Sequence, residues 1–170
     1  METTDEIMAA TARALCAHGY ADLTMQRIAD EASMTTAAIH YHFDTKEGLM
    51  EAFLRDLTDR FEARLDCDAP DPRERLSTLL DAAFEPPEHP TDGLAVALME
   101  LKVRAAHRPA YRERFRELDE RMRGAVAAAV RAGVDEGLFD DADPEAVARA
   151  VVTAVDGAQA RRGALDEDPA

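Results

Sequence analysis

The stretch Thr35-Thr36-Ala37-Ala38-Ile39-His40-Tyr41-His42-Phe43-Asp44-Thr45-Lys46 says most about the chemistry of this chain. It reads as a short helix ending in imidazole and phenol groups, then a tight turn and the capped start of a longer helix. Thr35 and Thr36 place hydroxyls where a helix N-terminus points bare N–H groups and partial positive charge, a combination that suits phosphate. Ala37 and Ala38 are small enough to let such a helix settle into the major groove, where a methyl group can pack on thymine. In the helix before it, Gln26 carries an amide able to pair bidentately with adenine. Chemistry of this kind is recognition of double-stranded DNA. His40 and His42 do not suggest a metal, because positions two apart on a helix do not converge. No Ser/His/Asp or Cys/His arrangement, Gly-rich phosphate loop or His/carboxylate metal spacing is evident. No catalytic residue, cofactor or metal is therefore expected.

The elements that must position these residues are all helical, with Gly and Pro kept to the joints and no run of alternating β-branched residues. A first helix spans about Asp5 to His18, with Ile7, Thr11, Ala14 and Leu15 on one face and Gly19 as its stop. Thr24 is the N-cap candidate of a second, Met25 to Glu31, and Thr35 of a third, whose inward side is Ala38, Ile39 and Phe43. Thr45 caps a long fourth helix, Lys46 to about Leu65. Asp71 and Pro72 open a fifth with Leu76, Leu79, Leu80, Ala83 and Phe84 as its stripe. After a proline-rich loop, Leu94 to Ala106 is apolar on most sides and is expected in the middle of the body. Arg108-Pro109 opens a helix to about Glu136, and Asp143-Pro144 starts the last one. The pattern predicts an all-α protein: a three-helix helix-turn-helix head over residues 1–47, a helical ligand-binding and dimerisation bundle over 48–162, and an acidic tail over 163–170.

Composition bounds the rest. The 170 residues carry 20 Lys+Arg against 35 Asp+Glu, a formal net charge of −15, spread over every segment. Such a coat favours solubility and suits a salt-loving host, where salt screens the self-repulsion. The head is itself acidic: Arg13, Arg27 and Lys46 face eight carboxylates within residues 1–50. A DNA-binding head is normally basic. In a salty cell, affinity would instead rest on hydrogen bonds, helix N-termini and fit, since counterion release is then a weak driving force. The competing reading is a ligand- or protein-binding module whose head no longer binds DNA. Against it, Gln26, Thr36, Tyr41 and Lys46 keep chemistry useful to DNA. Cys16 and Cys67 read as buried or half-buried thiols. No stretch approaches a membrane span and the start lacks a signal-peptide pattern, so a cytoplasmic protein is expected.

The segments Leu23-Thr24-Met25-Gln26-Arg27-Ile28-Ala29, Ala32-Ser33-Met34-Thr35 and Ile39-His40-Tyr41-His42-Phe43-Asp44-Thr45-Lys46-Glu47-Gly48-Leu49 resemble the tetracycline-repressor (TetR) family of regulators. The family pattern there is roughly Thr, two residues, Ile-Ala; Ala-Gly-Val-Ser; Leu-Tyr-x-His-Phe; and Ser-Lys-Glu-x-Leu. The resemblance implies a homodimer, a variable pocket in the body and repression relieved by a small-molecule effector. Tyr41, His42 and Lys46 match family positions that touch the sugar-phosphate backbone, whereas His40 replaces the usual Tyr. With Thr24, Arg27 and the residues above, they complete the candidate DNA-binding set.

For the body, Phe61, Phe84, Leu98, Met99, Tyr111, Phe115 and Met122 are the candidate lining of an apolar pocket for a lipophilic or aromatic effector. Glu100, an acid in an apolar helix, is expected to pair with Arg104 one turn on. The dimer face is expected from the small residues of about Ala125 to Val134 and from Val147 to Ala158. Because the chain stops soon after Arg161-Arg162-Gly163, that interface is expected to be smaller than usual.

Overall fold

The structure is a computed structural model that describes residues 2–65, 71–84 and 92–165. Among the described residues it has eight helices and no strand: α1 (Glu2–His18), α2 (Met25–Glu31), α3 (Thr36–His42), α4 (Lys46–Leu65), α5 (Pro72–Phe84), α6 (Asp92–Arg104), α7 (Pro109–Asp135) and α8 (Pro144–Leu165). Local chemistry fixes the ends. The Thr24 hydroxyl accepts from the Arg27 N–H at 3.2 Å, Thr35 from Ala38 at 3.2 Å and Thr45 from Gly48 at 3.1 Å. Each satisfies a donor that the first helical turn leaves bare. The Asp71 carboxylate does the same for Arg73 at 2.9 Å. Gly19 (φ +67°) and Gly137 (φ +70°) end α1 and α7 in the left-handed conformation that glycine adopts without steric penalty. No described helix is long and apolar enough to cross a membrane.

One continuous core joins the head to the body. Ile7, Ala14 and Leu15 of α1, Ile28 of α2, Ile39 of α3 and Leu49 of α4 are fully buried, in the same cluster as Leu101 of α6 and Tyr111 of α7. Thr11 is also fully buried, its hydroxyl donating to the Ile7 carbonyl at 2.7 Å. The head therefore shares its core with the body. Farther along, α5, α7 and α8 enclose two smaller clusters, one around Leu79, Val126, Val130 and Ala148, the other around Ala83, Met122, Val152 and Val155.

The placement of α6 departs from expectation. Leu94, Ala97, Leu101 and Ala105 are buried at helical spacing, but Val103 is 73% exposed and Val96 lies at the surface. The helix packs on α1, α7 and α8 and leaves its remaining side to solvent. On α8, Ala148, Val152 and Val155 point inward while Ala150 and Ala154 are exposed. The expected aliphatic face of that helix is thus divided between the core and the surface. Residues 163–165 of the expected 163–170 tail belong to α8; Phe61, Cys67 and residues 166–170 lie outside what the structure describes, Phe61 by its side chain alone, and Cys16 is half-buried.

Two backbone positions carry the tightest constraints. Ser33, in the α2–α3 turn, has φ +52°, a conformation that a residue with a Cβ adopts at a penalty. Gly133 lets the Phe139 ring lie against α7, where a Cβ would collide with it, and its carbonyl accepts from the Leu138 and Phe139 N–H groups at 2.8 and 3.0 Å. Urea unfolding should therefore show Ser33→Gly stabilised by about 1 kcal/mol and Gly133→Ala destabilised by about 1–3 kcal/mol. An unchanged midpoint in either variant would contradict these backbone assignments.

Candidate nucleic-acid interface

Helix α3 presents its polar residues outward. Thr35, Ala37, His40, Tyr41 and His42 are exposed, Tyr41 to 85%, while Ile39 anchors the helix in the core and Ala38 and Phe43 are half-buried. Tyr41 and His42 meet edge to face with ring centroids 5.2 Å apart. At the other end of α3 the Thr36 hydroxyl donates to the Gln26 side-chain oxygen at 2.5 Å, and the Gln26 nitrogen donates to Asp30 at 2.7 Å. The structure thus brings Gln26, Thr35, Thr36 and Ala37 together at the α2–α3 corner. His40, Tyr41 and His42 form a second group at the far end of α3. Thr24 and Arg27 belong to the α2 cap.

All three cations of the head are committed within it. Arg13 donates to Glu6 at 2.8 Å and to the Glu31 carbonyl at 2.8 Å, with the Glu31 carboxylate at 3.4 Å. Arg27 donates to the Asp22 carbonyl at 2.8 Å. Lys46 donates to the Tyr20 carbonyl at 2.8 Å and lies 4.2 Å from the centre of the Tyr20 ring. Burial, foremost, holds the Lys46 ammonium below the usual lysine range, with Glu47 opposing. In this geometry the groups left outward on α3 are hydroxyl, phenol, imidazole and methyl.

Tyr20 is the joint between head and body. The Glu100 carboxylate of α6 accepts from its N–H at 2.7 Å, the Arg104 guanidinium lies 4.4 Å from its ring centre, and its hydroxyl meets that of Tyr111 at 3.5 Å. Burial and the neighbouring Tyr20 raise the Tyr111 phenol well above its ordinary range. The expected Glu100–Arg104 pair is replaced by this arrangement, because the turn after Gly19 needs an acceptor and Glu100 reaches it. Sequence reasoning missed Tyr20 altogether. The one signal available was Glu100 itself, an acid on an otherwise apolar helix. A second head–body link joins Arg108 to Glu47 at 3.5 Å.

The candidate effector residues divide into two places. Leu98, Tyr111 and Phe115 belong to the core that reaches the head, whereas Phe84 and Met122 sit in the cluster between α5, α7 and α8; Met99 is half-buried. Beside Phe115, Lys102 donates to Asp156 at 2.6 Å, lies 3.8 Å from Asp119 and stands 5.8 Å from the ring centre. Burial pushes the Asp119 carboxyl above the usual carboxylate range despite that ammonium. Among the described residues no group of His, Cys, Asp and Glu is arranged to hold a metal ion.

The Tyr20 joint predicts a stability effect. Glu100→Ala removes the charged acceptor of a half-buried N–H and should lower unfolding stability by about 1–3 kcal/mol, with Glu100→Gln, which keeps an acceptor, falling between. Thermal melts followed by circular dichroism decide it; equal melting temperatures would remove Glu100 from the joint.

Known proteins resemble this chain in sequence and fold. A model of bacterial regulatory proteins of the tetR family matches residues 7–53, and one of the BetI-type transcriptional repressor C-terminal domain matches residues 72–170. The chain is 35% identical over 89 residues to the HTH-type transcriptional repressor KstR2 of Mycolicibacterium smegmatis, an alignment spanning 50% of this chain and 43% of that one. A TetR transcription regulator from Haloarcula marismortui superposes with a TM-score of 0.89 at 47% identity, over 99% of this chain and 89% of that one. A transcriptional regulator from Saccharomonospora viridis, solved in complex with choline, superposes with a TM-score of 0.81 at 25% identity, over 94% and 84%. Matched by the family's own model across its head and by a repressor-domain model over more than half its length, the chain belongs to the tetR family of bacterial regulatory proteins.

Proposed function

We propose that this protein is a DNA-binding transcriptional regulator that represses from a palindromic operator as a homodimer and is released by a small effector. The observation that carries the reading is the outward face of α3, where hydroxyl, imidazole and phenol groups stand on a short helix held by buried Ile39 in the core it shares with Ile28 of α2 and by the Thr36–Gln26 bond. Affinity on such a face comes from fit and neutral donors. The even acidic coat then suits a cell of high internal salt. The dimer face is the outward side of α7 and α8, where Ala128, Ala150 and Ala154 are small and exposed, so that a second copy completes a four-helix arrangement across a two-fold axis.

The effector is a lipophilic or aromatic molecule taken up beside Leu98, Met99, Tyr111 and Phe115, where binding would shift α6 or α7 and strain the Tyr20 joint. One observation favours a second reading for its chemistry. The Lys102 ammonium already lies between Asp119 and Asp156 and over Phe115, so an organic cation such as the choline bound by the Saccharomonospora relative would compete for the same surroundings.

Selection of bound DNA from a random duplex pool at several salt concentrations tests the reading. A palindrome enriched at high salt is the expected result, and enrichment of no sequence at any salt would instead support a head without DNA binding. Thr36→Glu should abolish that enrichment while helicity stays unchanged, because it replaces the donor to Gln26 with a carboxylate that repels both the Gln26 oxygen and approaching phosphate.

A further inference from the structure

We infer that Asp30, an acid on the reading side of the head, is a positioning residue that makes Gln26 read adenine and reject guanine; this rests on the DNA-binding reading above. The Gln26 amide has two N–H donors and two oxygen lone pairs. Asp30, one helical turn on, takes one N–H at 2.7 Å, and the Thr36 hydroxyl fills one lone pair at 2.5 Å. The carboxylate also fixes which way the amide faces. Turning it over would set the Gln26 oxygen against the Asp30 oxygens, two acceptors with no proton between them.

One N–H and one lone pair remain on Gln26, which is itself exposed. Adenine offers an N6 donor and an N7 acceptor in the major groove, which match one acceptor and one donor. Guanine offers two acceptors there, O6 and N7, and needs two donors. An unrestrained glutamine could turn both N–H groups toward guanine. With one held by Asp30, it cannot. Thr36 also loses its only proton to Gln26 in this arrangement, so its hydroxyl supports the reader and does not donate to phosphate.

A role confined to charge or folding makes a different prediction. An exposed carboxylate near DNA repels phosphate regardless of sequence, so its removal would strengthen all duplexes alike. Positioning acts at one base pair in each half-site.

The test uses the full chain and the operator enriched by the wild-type protein, with competition between operators varied at each position. Wild type should prefer A over G at one symmetric position by at least about fivefold. Gln26→Ala should lose that preference, and Asp30→Ala should bring the A-to-G ratio near one there while leaving preferences elsewhere unchanged. Asp30→Asn, which keeps the shape but allows either amide orientation, should reduce the ratio partway. Uniform strengthening across all operators in Asp30→Ala, or an A preference that survives Gln26→Ala, overturns the inference while the DNA-binding reading stands. A wild-type protein that enriches no sequence overturns the DNA-binding reading itself, and this inference with it.

Discussion

The contact between Lys46 and Tyr20 holds this structure in register. One ammonium, 2.8 Å from the Tyr20 carbonyl and 4.2 Å from the centre of its ring, ties the first turn of α4 to the turn that follows α1. The same residue is held from the body by Glu100 at its N–H, Arg104 at its ring and Tyr111 at its hydroxyl. One tyrosine, its backbone and side chain both engaged, thus links α4 to α6 and α7, beside the Arg108–Glu47 pair and the shared core. Because the apolar core also runs unbroken from α1 to α7, a shift of α6 or α7 reaches the head through packed side chains and through this joint together.

That arrangement has a consequence for recognition. A head with three basic residues against eight acidic ones uses all three for internal hydrogen bonds: Arg13 between α1 and α2, Arg27 at the α2 entry, Lys46 at the joint. Each satisfies a backbone carbonyl. The groups this leaves exposed on α3 and beside it are Thr35, Ala37, His40, Tyr41 and His42 with the amide of Gln26, the surface proposed here for DNA. Binding of this kind depends on close shape fit more than on long-range attraction, and it loses less as salt rises.

Much of the fold was legible because its boundaries are local events. Thr24, Thr35 and Thr45 before helices, Gly19 and Gly137 after them, and Pro72, Pro109 and Pro144 in first turns each act within four residues, so sequence alone placed the ends of most elements. The features that escaped depend on partners far along the chain. Glu100 obeys the i,i+4 rule with Arg104 on paper, but the N–H it accepts from lies 80 residues away. Apolar residues on most sides suggested a buried α6, yet only packing neighbours decide which side stays wet, and Val103 does. Of the residues singled out by type, Thr35, His40, Tyr41 and His42 are exposed, as the DNA-binding proposal requires. The commitment of Lys46 was not, because its ammonium is held by a carbonyl 26 residues earlier.

In the proposed function, this head reads DNA through neutral contacts, its cations being held inside. The most direct measurement is the dependence of operator affinity on KCl concentration. Each phosphate neutralised by Lys or Arg contributes a slope of about −0.9 to log K against log salt. The account predicts a shallow line, about two ion equivalents or fewer per half-site, with specific binding still measurable at molar salt. A steep slope of about six or more per half-site, with binding lost well below that, would show that cations carry the interface and would contradict it.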